Sequence, residues 1–131
     1  MRVPDTNMHE ALGIEMQEAG DGVVTGRLPV TDQVRQPFGL VHGGALLTLA
    51  ESLTSFGTWM GVKGDGKVAM GQEINASLVR PITEGSVHGT ARARRKGQTA
   101  WVWEVEITDD ADRLCALIRA TIAVRDAPKP R

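Results

Sequence analysis

One carboxylate stands alone in an apolar stretch of this sequence. Between Gly43 and Val62, Glu51 is the only charged side chain. An ionised carboxylate in an apolar setting is costly unless it is paired or hydrogen-bonded, and burial tunes such groups toward acid–base chemistry. Glu51 is therefore a candidate functional carboxylate for acid–base chemistry. The alternative is that it lies on a solvated edge of a helix.

Two glycines, Gly43 and Gly44, precede this carboxylate where the same helix is predicted to begin. Glycine lets a ligand approach the backbone closely, and the first amides of a helix are unpaired and lie at the positive end of its dipole. Such amides can polarise a carbonyl and stabilise a developing oxyanion. A glycine pair that only eases entry into the helix is the alternative.

Glu51 and Gly43 of one chain are too far apart to act on the same carbonyl. They are separated by about 12 Å along a helix that rises ~1.5 Å per residue. If both groups serve one site, they must come from different subunits. This spacing predicts a dimer with two shared sites.

Three other polar residues are candidates for the same site. Ser55 lies four residues after Glu51 on the same helical face, where its hydroxyl could orient the carboxylate or a water. A solvated or back-bonded serine explains it equally well. Gln36, otherwise an ordinary loop residue, could offer its amide to a substrate carbonyl. For His42, at or near the N-cap, a structural hydrogen bond is favoured over acid–base work.

The hydrophobic pattern predicts the elements that position these residues. It indicates a short helical turn at 7–12, a loop at 31–41, a helix from 43 to about 61, and strands at 13–19, 22–30, 68–79, 86–95, 100–108 and 114–124. One helix among about six strands is typical of an α+β fold with a mostly antiparallel sheet. A lone helix covers such a sheet poorly, so part of the sheet is expected to pair with another subunit.

Two strands carry informative alternations. In the strand at 68–79, Met70 is expected to share a face with Ile74. In the strand at 100–108, Trp101 and Trp103 face one way, which favours a core or subunit contact over a nucleic-acid stacking surface.

Length and composition limit the classes of function. The 131 residues fit a single domain over 1–131, with loose ends expected at 1–6 and 126–131. A net charge of −1 gives no global field for nucleic acid or an anionic membrane. The start of the chain has no apolar signal region, so a cytoplasmic location is expected. Cys115 is interpreted as a packing residue, and no Cys/His spacing resembles a zinc site.

At the helix entry, the residues match a known family. The run from Gln36 through Phe38-Gly39-Leu40-Val41-His42-Gly43-Gly44 to Glu51 resembles hotdog-fold acyl-CoA thioesterases of the 4-hydroxybenzoyl-CoA and phenylacetate-pathway type. The resemblance covers about residues 12–125. It implies a hotdog fold, in which an antiparallel sheet wraps around one long central helix.

The resemblance also implies roles. Glu51 would be the nucleophile or general base, the Gly43 amide would polarise the thioester carbonyl, and Gln36 would lie beside that carbonyl or the attacking water. Ser55 stands where this branch carries a threonine. Arg80 and Thr99 match positions that bind coenzyme A, Gln98 replaces a serine there, and Arg125 is a further phosphate partner.

Family members form dimers whose sheets join edge to edge, and commonly tetramers; no metal or redox cofactor is implied. Aromatic acyl groups, as in aromatic compound catabolism, and medium-chain acyl groups both remain open. Residues 68–73 and the helix side chains, among them Leu47, are expected to shape the acyl pocket.

Two other functions stay open at this stage. A non-catalytic acyl-CoA-binding module would need only the Gly43 amide and the basic residues around strand 86–95. A hotdog dehydratase or hydratase would pair a catalytic histidine with a carboxylate, for which His42 and Glu51 could serve across a dimer.

Overall fold

Six strands and one long helix make up the fold, which a computed structural model describes over residues 2–129. The elements are helix α1 (Met8–Leu12), β1 (Glu15–Gly20), β2 (Val23–Pro29), helix α2 (Gly43–Val62), β3 (Lys67–Leu78), β4 (Ser86–Lys96), β5 (Ala100–Thr108) and β6 (Leu114–Asp126). Short 3-10 turns occupy Asp32–Val34 and Lys63–Asp65. The predicted α+β architecture is confirmed, with element ends within one or two residues of the prediction.

The sheet is antiparallel throughout, in the order β1-β2-β4-β5-β6-β3. Helix α2 contacts all six strands, so the sheet wraps around it. The last strand extends to Asp126, whose carboxylate pairs with Lys67, so the loose C-terminal segment predicted from residue 126 starts later. Residues 1, 130 and 131 of the expected loose ends lie outside the described part of the chain.

Helix α2 packs closely because two tryptophans of β5 lie against two of its glycines. A Cβ at Gly57 would come within 2.6 Å of the Trp103 ring, and a Cβ at Gly61 would overlap the Trp101 ring. The indole Nε1 of Trp103 donates to Thr58 Oγ1 at 2.9 Å. Both tryptophans are buried, so they are core residues, and their packing sets the position of the helix.

Strand β3 departs from the predicted alternation. Its register with β6 shifts between Gly71 and Glu73, which leaves one residue of β3 without a partner. Ala69 and Ile74 both pack against the core, whereas Met70 is half exposed. The prediction that Met70 shares a face with Ile74 is wrong, because an extra residue in the strand reverses the alternation beyond it.

The two edge strands differ in length and charge. Strand β1 has six residues, all exposed, and carries Glu15 and Glu18. Strand β3 has twelve residues, of which only Lys67 and Glu73 are charged, and within residues 2–129 it pairs with β6 alone. Its other edge presents backbone N–H and C=O groups that a second chain can pair with.

Cys115 is a packing residue, as predicted. It is buried in β6, and burial raises the pKa of its thiol. Across residues 2–129, no helix has both the length and the apolar character that crossing a membrane requires.

Candidate active site

The N-terminus of α2 is built by a histidine cap. His42 has an extended backbone, and its Nδ1 accepts a hydrogen bond from the Gly44 amide at 2.8 Å. Gly43 is the first helical residue. Within residues 2–129 its amide has no acceptor, so it is free to donate to a ligand at the positive end of the helix dipole.

We expect His42→Ala to lower the free energy of unfolding by about 1 kcal/mol, because the Gly44 amide loses its acceptor. His42→Asn is the matched control, since asparagine is a good N-cap and should restore most of that stability. Urea denaturation measures both. A loss of turnover in the asparagine variant with stability restored would contradict a purely structural role for His42.

Gln36 is held in the loop before the helix. Its Oε1 accepts from the amide of Phe38 at 2.5 Å and from that of Leu40 at 3.4 Å. The side-chain oxygen is therefore engaged, and the amide nitrogen is left as the group that can donate. The half-buried Gln36 thus fits the predicted role of a donor to a carbonyl.

Glu51 is exposed in the single chain, so its expected burial is not met there. It lies in an open groove of about 300 Å³ between α2 and β3, also lined by Leu47, Thr48 and Ile74. Glu51 is exposed because of its position at the edge of the sheet. Glu51 projects from the side of α2 toward β3, whose free edge nothing in the described chain covers. Ser55, one turn further along α2, is half-buried.

The contacts with β3 show how far Glu51 lies from Gly43 within one chain. A Cβ at Gly71 would lie 3.2 Å from the Glu51 carboxyl carbon, and a Cβ at Gly43 would lie 2.7 Å from Leu78 Cδ1. Glu51 and Gly43 therefore lie beside positions of β3 that are seven residues apart. The structure does not bring Glu51 to the Gly43 amide within one chain.

The residues predicted to bind coenzyme A fall into two groups. Arg125 Nη1 donates to the Thr99 carbonyl at 2.7 Å, and the exposed Gln98 is next to Thr99. Arg80 is at the other end of β6, where its amide donates to the Cys115 carbonyl at 3.1 Å. Ten strand positions separate the groups, which is roughly 33 Å. One chain does not bring them together.

Two of the four Lys and Arg residues of β4 lie away from this site. Arg92 and Arg94 belong to the sheet face opposite α2, where they line a shallow depression with Glu106 and Arg119. Arg94 pairs with Glu104 at 3.3 Å. These contacts favour a solvated sheet face over a surface that serves Glu51.

Gly71 is the residue of this site that the sequence reasoning did not single out. The sequence predicts a role for Gly71 only as one of residues 68–73, which are expected to shape the acyl pocket. The available signal was a glycine inside a strand, which often marks a bulge or a close approach of another group.

Comparison with known proteins gives a consistent picture. Residues 38–116 match the family profile described as Thioesterase superfamily. The chain is 41% identical over 118 residues to 1,4-dihydroxy-2-naphthoyl-CoA hydrolase of Escherichia coli (strain K12), covering 90% of this chain and 86% of the relative. A solved structure of a mutant thioesterase from Pseudomonas aeruginosa superposes with a TM-score of 0.86 at 35% identity, covering 89% of this chain and 84% of the other.

Two solved structures of one Staphylococcus aureus protein also match. One carries a glutamate-to-alanine substitution (TM-score 0.89, 31% identity, covering 92% of this chain and 100% of the other). The other, described as a thioesterase, carries a glutamine-to-alanine substitution (TM-score 0.88, 32% identity, covering 92% of this chain and 99% of the other). The two substituted positions are 15 residues apart in that protein.

Proposed function

The chain belongs to the thioesterase superfamily and is a thioester hydrolase, and from this premise we propose that it hydrolyses an acyl-CoA with Glu51 as the acting carboxylate. The observation that carries this assignment is the position of Glu51 in the groove between α2 and β3. The spacing of the two substituted positions in the Staphylococcus aureus protein supports it, because Gln36 and Glu51 are separated by the same 15 residues.

The proposed reaction divides the work among three groups. The Gly43 amide donates to the thioester carbonyl oxygen and stabilises the negative charge that develops there. Glu51 either attacks the carbonyl carbon itself or takes a proton from a water that attacks. If water attacks, the carbon–sulfur bond breaks, the proton that Glu51 has taken passes to the sulfur of coenzyme A, which leaves as a thiol, and the acyl group leaves as a free acid. If Glu51 attacks, the same bond breaks to give an acyl anhydride on Glu51 and the thiolate of coenzyme A. A water then hydrolyses the anhydride, which frees the acid and restores the Glu51 carboxylate, and the proton released goes to the thiolate. Gln36 donates its side-chain amide to the carbonyl or to the water.

Two chains are needed for this arrangement. If the free edges of two β3 strands pair antiparallel about a two-fold axis, Gly71 can lie opposite Leu78 of the partner subunit. Glu51 then faces Gly43 of the partner subunit, because Glu51 lies beside Gly71 and Gly43 beside Leu78. Because each strand carries one extra residue at its bulge, this register places the axis at Asn75. The partner also covers the carboxylate that one chain leaves exposed.

The same register would bring together the two groups of residues that are predicted to bind coenzyme A. It places Val68 of the partner subunit across from Pro81, next to Arg80. Val68 is in turn the strand partner of Arg125 in β6. Arg80 and the partner's Arg125 would then be separated by two strand spacings, about 10 Å. The diphosphate and 3′-phosphate of one coenzyme A can contact groups at that separation. A register derived only from Glu51 and Gly43 is therefore also compatible with binding of the coenzyme A part of the substrate.

The acyl group is proposed to be aromatic or of medium chain length. The relative from Escherichia coli is named for a bicyclic aromatic acyl-CoA. In this chain Leu47, Ile74 and the bare backbone of Gly71 form the apolar part of the groove beside Glu51, which is completed by Thr48, Gln72 and Glu73.

A panel of acyl-CoA thioesters, with free thiol followed by a thiol reagent, tests the proposal. Benzoyl, hydroxybenzoyl, naphthoyl, phenylacetyl and medium-chain derivatives should be compared at equal concentration. Release of coenzyme A from at least one class is expected. Binding without release would favour a non-catalytic acyl-CoA-binding module, and hydration of crotonyl-CoA would favour a hydratase.

A further inference from the structure

Gly71 has a contact that its backbone conformation does not explain. Its φ is not in the left-handed region, so the strand geometry at this position would accept alanine. A Cβ there would nevertheless lie 3.2 Å from Cδ of Glu51 and 3.4 Å from its Cγ and Oε2. The carboxylate rests on the bare backbone of the strand, in the space that a side chain would occupy.

The bulge next to Gly71 affects the same carboxylate. Beyond the bulge, Glu73 is turned to the outer face of the sheet, where its Oε1 accepts from Asn75 Nδ2 at 3.2 Å and lies 3.6 Å from Arg119 Nη2. In a regular strand, Glu73 would share a face with Gly71 and would point toward Glu51. The extra residue thus turns the Glu73 carboxylate toward Arg119, although Glu73 still borders the groove that holds Glu51.

We propose that Gly71, followed by the bulge, is a positioning residue for Glu51. This inference rests on the proposed catalytic role of Glu51. The glycine leaves room for the carboxylate against β3, and the bulge directs the Glu73 carboxylate toward Arg119. A methyl group at position 71 would move the carboxylate by a few tenths of an ångström or force another rotamer. Catalysis is sensitive to such displacements, since about 1 Å can cost on the order of 10²-fold in rate.

The first test is Gly71→Ala. We expect kcat to fall by about 10-fold with KM nearly unchanged, because only the reacting group is displaced. The melting temperature should be retained, since alanine is no worse than glycine in a strand. Gly20→Ala in the exposed edge strand β1 is the matched control, because a Cβ there meets nothing within 4 Å. It should leave kcat unchanged.

The second test separates positioning from any other effect of the methyl group. In a Glu51→Asp background the carboxylate is retracted by one methylene, so the methyl of Gly71→Ala no longer meets it. Gly71→Ala should then lower kcat by less than about 3-fold. An equal fold loss in both backgrounds would overturn the proposal, as would normal kcat in the single Gly71→Ala variant.

The outcomes also distinguish this inference from the function it rests on. If Glu51→Gln keeps normal turnover, the role of the carboxylate is wrong. If Glu51→Gln is inactive while Gly71→Ala is fully active, Glu51 keeps its role and only the positioning by Gly71 is wrong.

Discussion

Replacing Glu51 with glutamine is expected to lower kcat on the order of 10³-fold or more, because the amide can neither attack a carbonyl nor accept a proton from water. The substitution preserves the size of the side chain. Glu51 is exposed in the single chain. Within residues 2–129 its carboxylate makes no hydrogen bond to its neighbours in the groove, so the substitution removes none. Stability should therefore change little. Thiol release at saturating acyl-CoA measures the effect, with a thermal melt on the same sample.

Glu73→Gln is the matched control for this experiment. Glu73 borders the same groove as Glu51, but its carboxylate lies toward the outer face of the sheet, 3.6 Å from Arg119 Nη2. Neutralising it should change kcat by less than about 3-fold, since exposed ion pairs contribute little. Near-normal turnover in Glu51→Gln, or an equal loss in both variants, would refute the assignment of Glu51.

Removing the Gly43 amide is expected to lower kcat by about 10²- to 10³-fold, the range found for loss of one oxyanion donor. Gly43→Pro removes this N–H with little damage to the helix. Proline is favoured at the first helical position, and His42 before it already has the extended backbone (φ −66, ψ 133) that proline requires. Gly43→Ala controls for the added carbon beside Leu78, because it keeps the N–H, and its loss should be much smaller.

Mixing two inactive variants then tests whether sites are shared between chains. In a heterodimer of a Glu51→Gln chain and a Gly43→Pro chain, one of the two sites combines the intact Glu51 of one chain with the intact Gly43 of the other. Random pairing at equal amounts should restore about a quarter of the wild-type activity. Co-expression with two affinity tags isolates the heterodimer. A mixture no more active than its two components would show that each chain holds a complete site.

The sequence predicted what depends on local pattern. The start of α2 follows from His42, Gly43 and Gly44, the core face of the helix from its apolar spacing, and the burial of Trp101 and Trp103 from alternation along β5. The separation of Glu51 from Gly43 required only the rise of a helix. These features are set by residues that are neighbours in the chain, so they can be read without the fold.

What the sequence did not predict depends on partners distant in the chain. The bulge in β3 exists only relative to β6, which follows it by some forty residues, and alternation within β3 alone cannot show it. The exposure of Glu51 depends on β3 being an edge strand, which is a property of the strand order. The residues predicted to bind coenzyme A likewise fall into two groups because they lie at opposite ends of β6. Their spacing in the sequence does not show this separation.

The free edge of β3 also makes the risk of aggregation depend on the concentration of the protein. A freshly folded chain exposes one unpaired edge of the twelve-residue strand β3, which carries only two charges, and another extended peptide can pair with that edge. If the proposed dimer forms, its partner is scarce at low concentration, and the edge stays open to other peptides for longer. Rapid pairing with an identical chain would therefore protect the protein against aggregation before it contributes anything to catalysis.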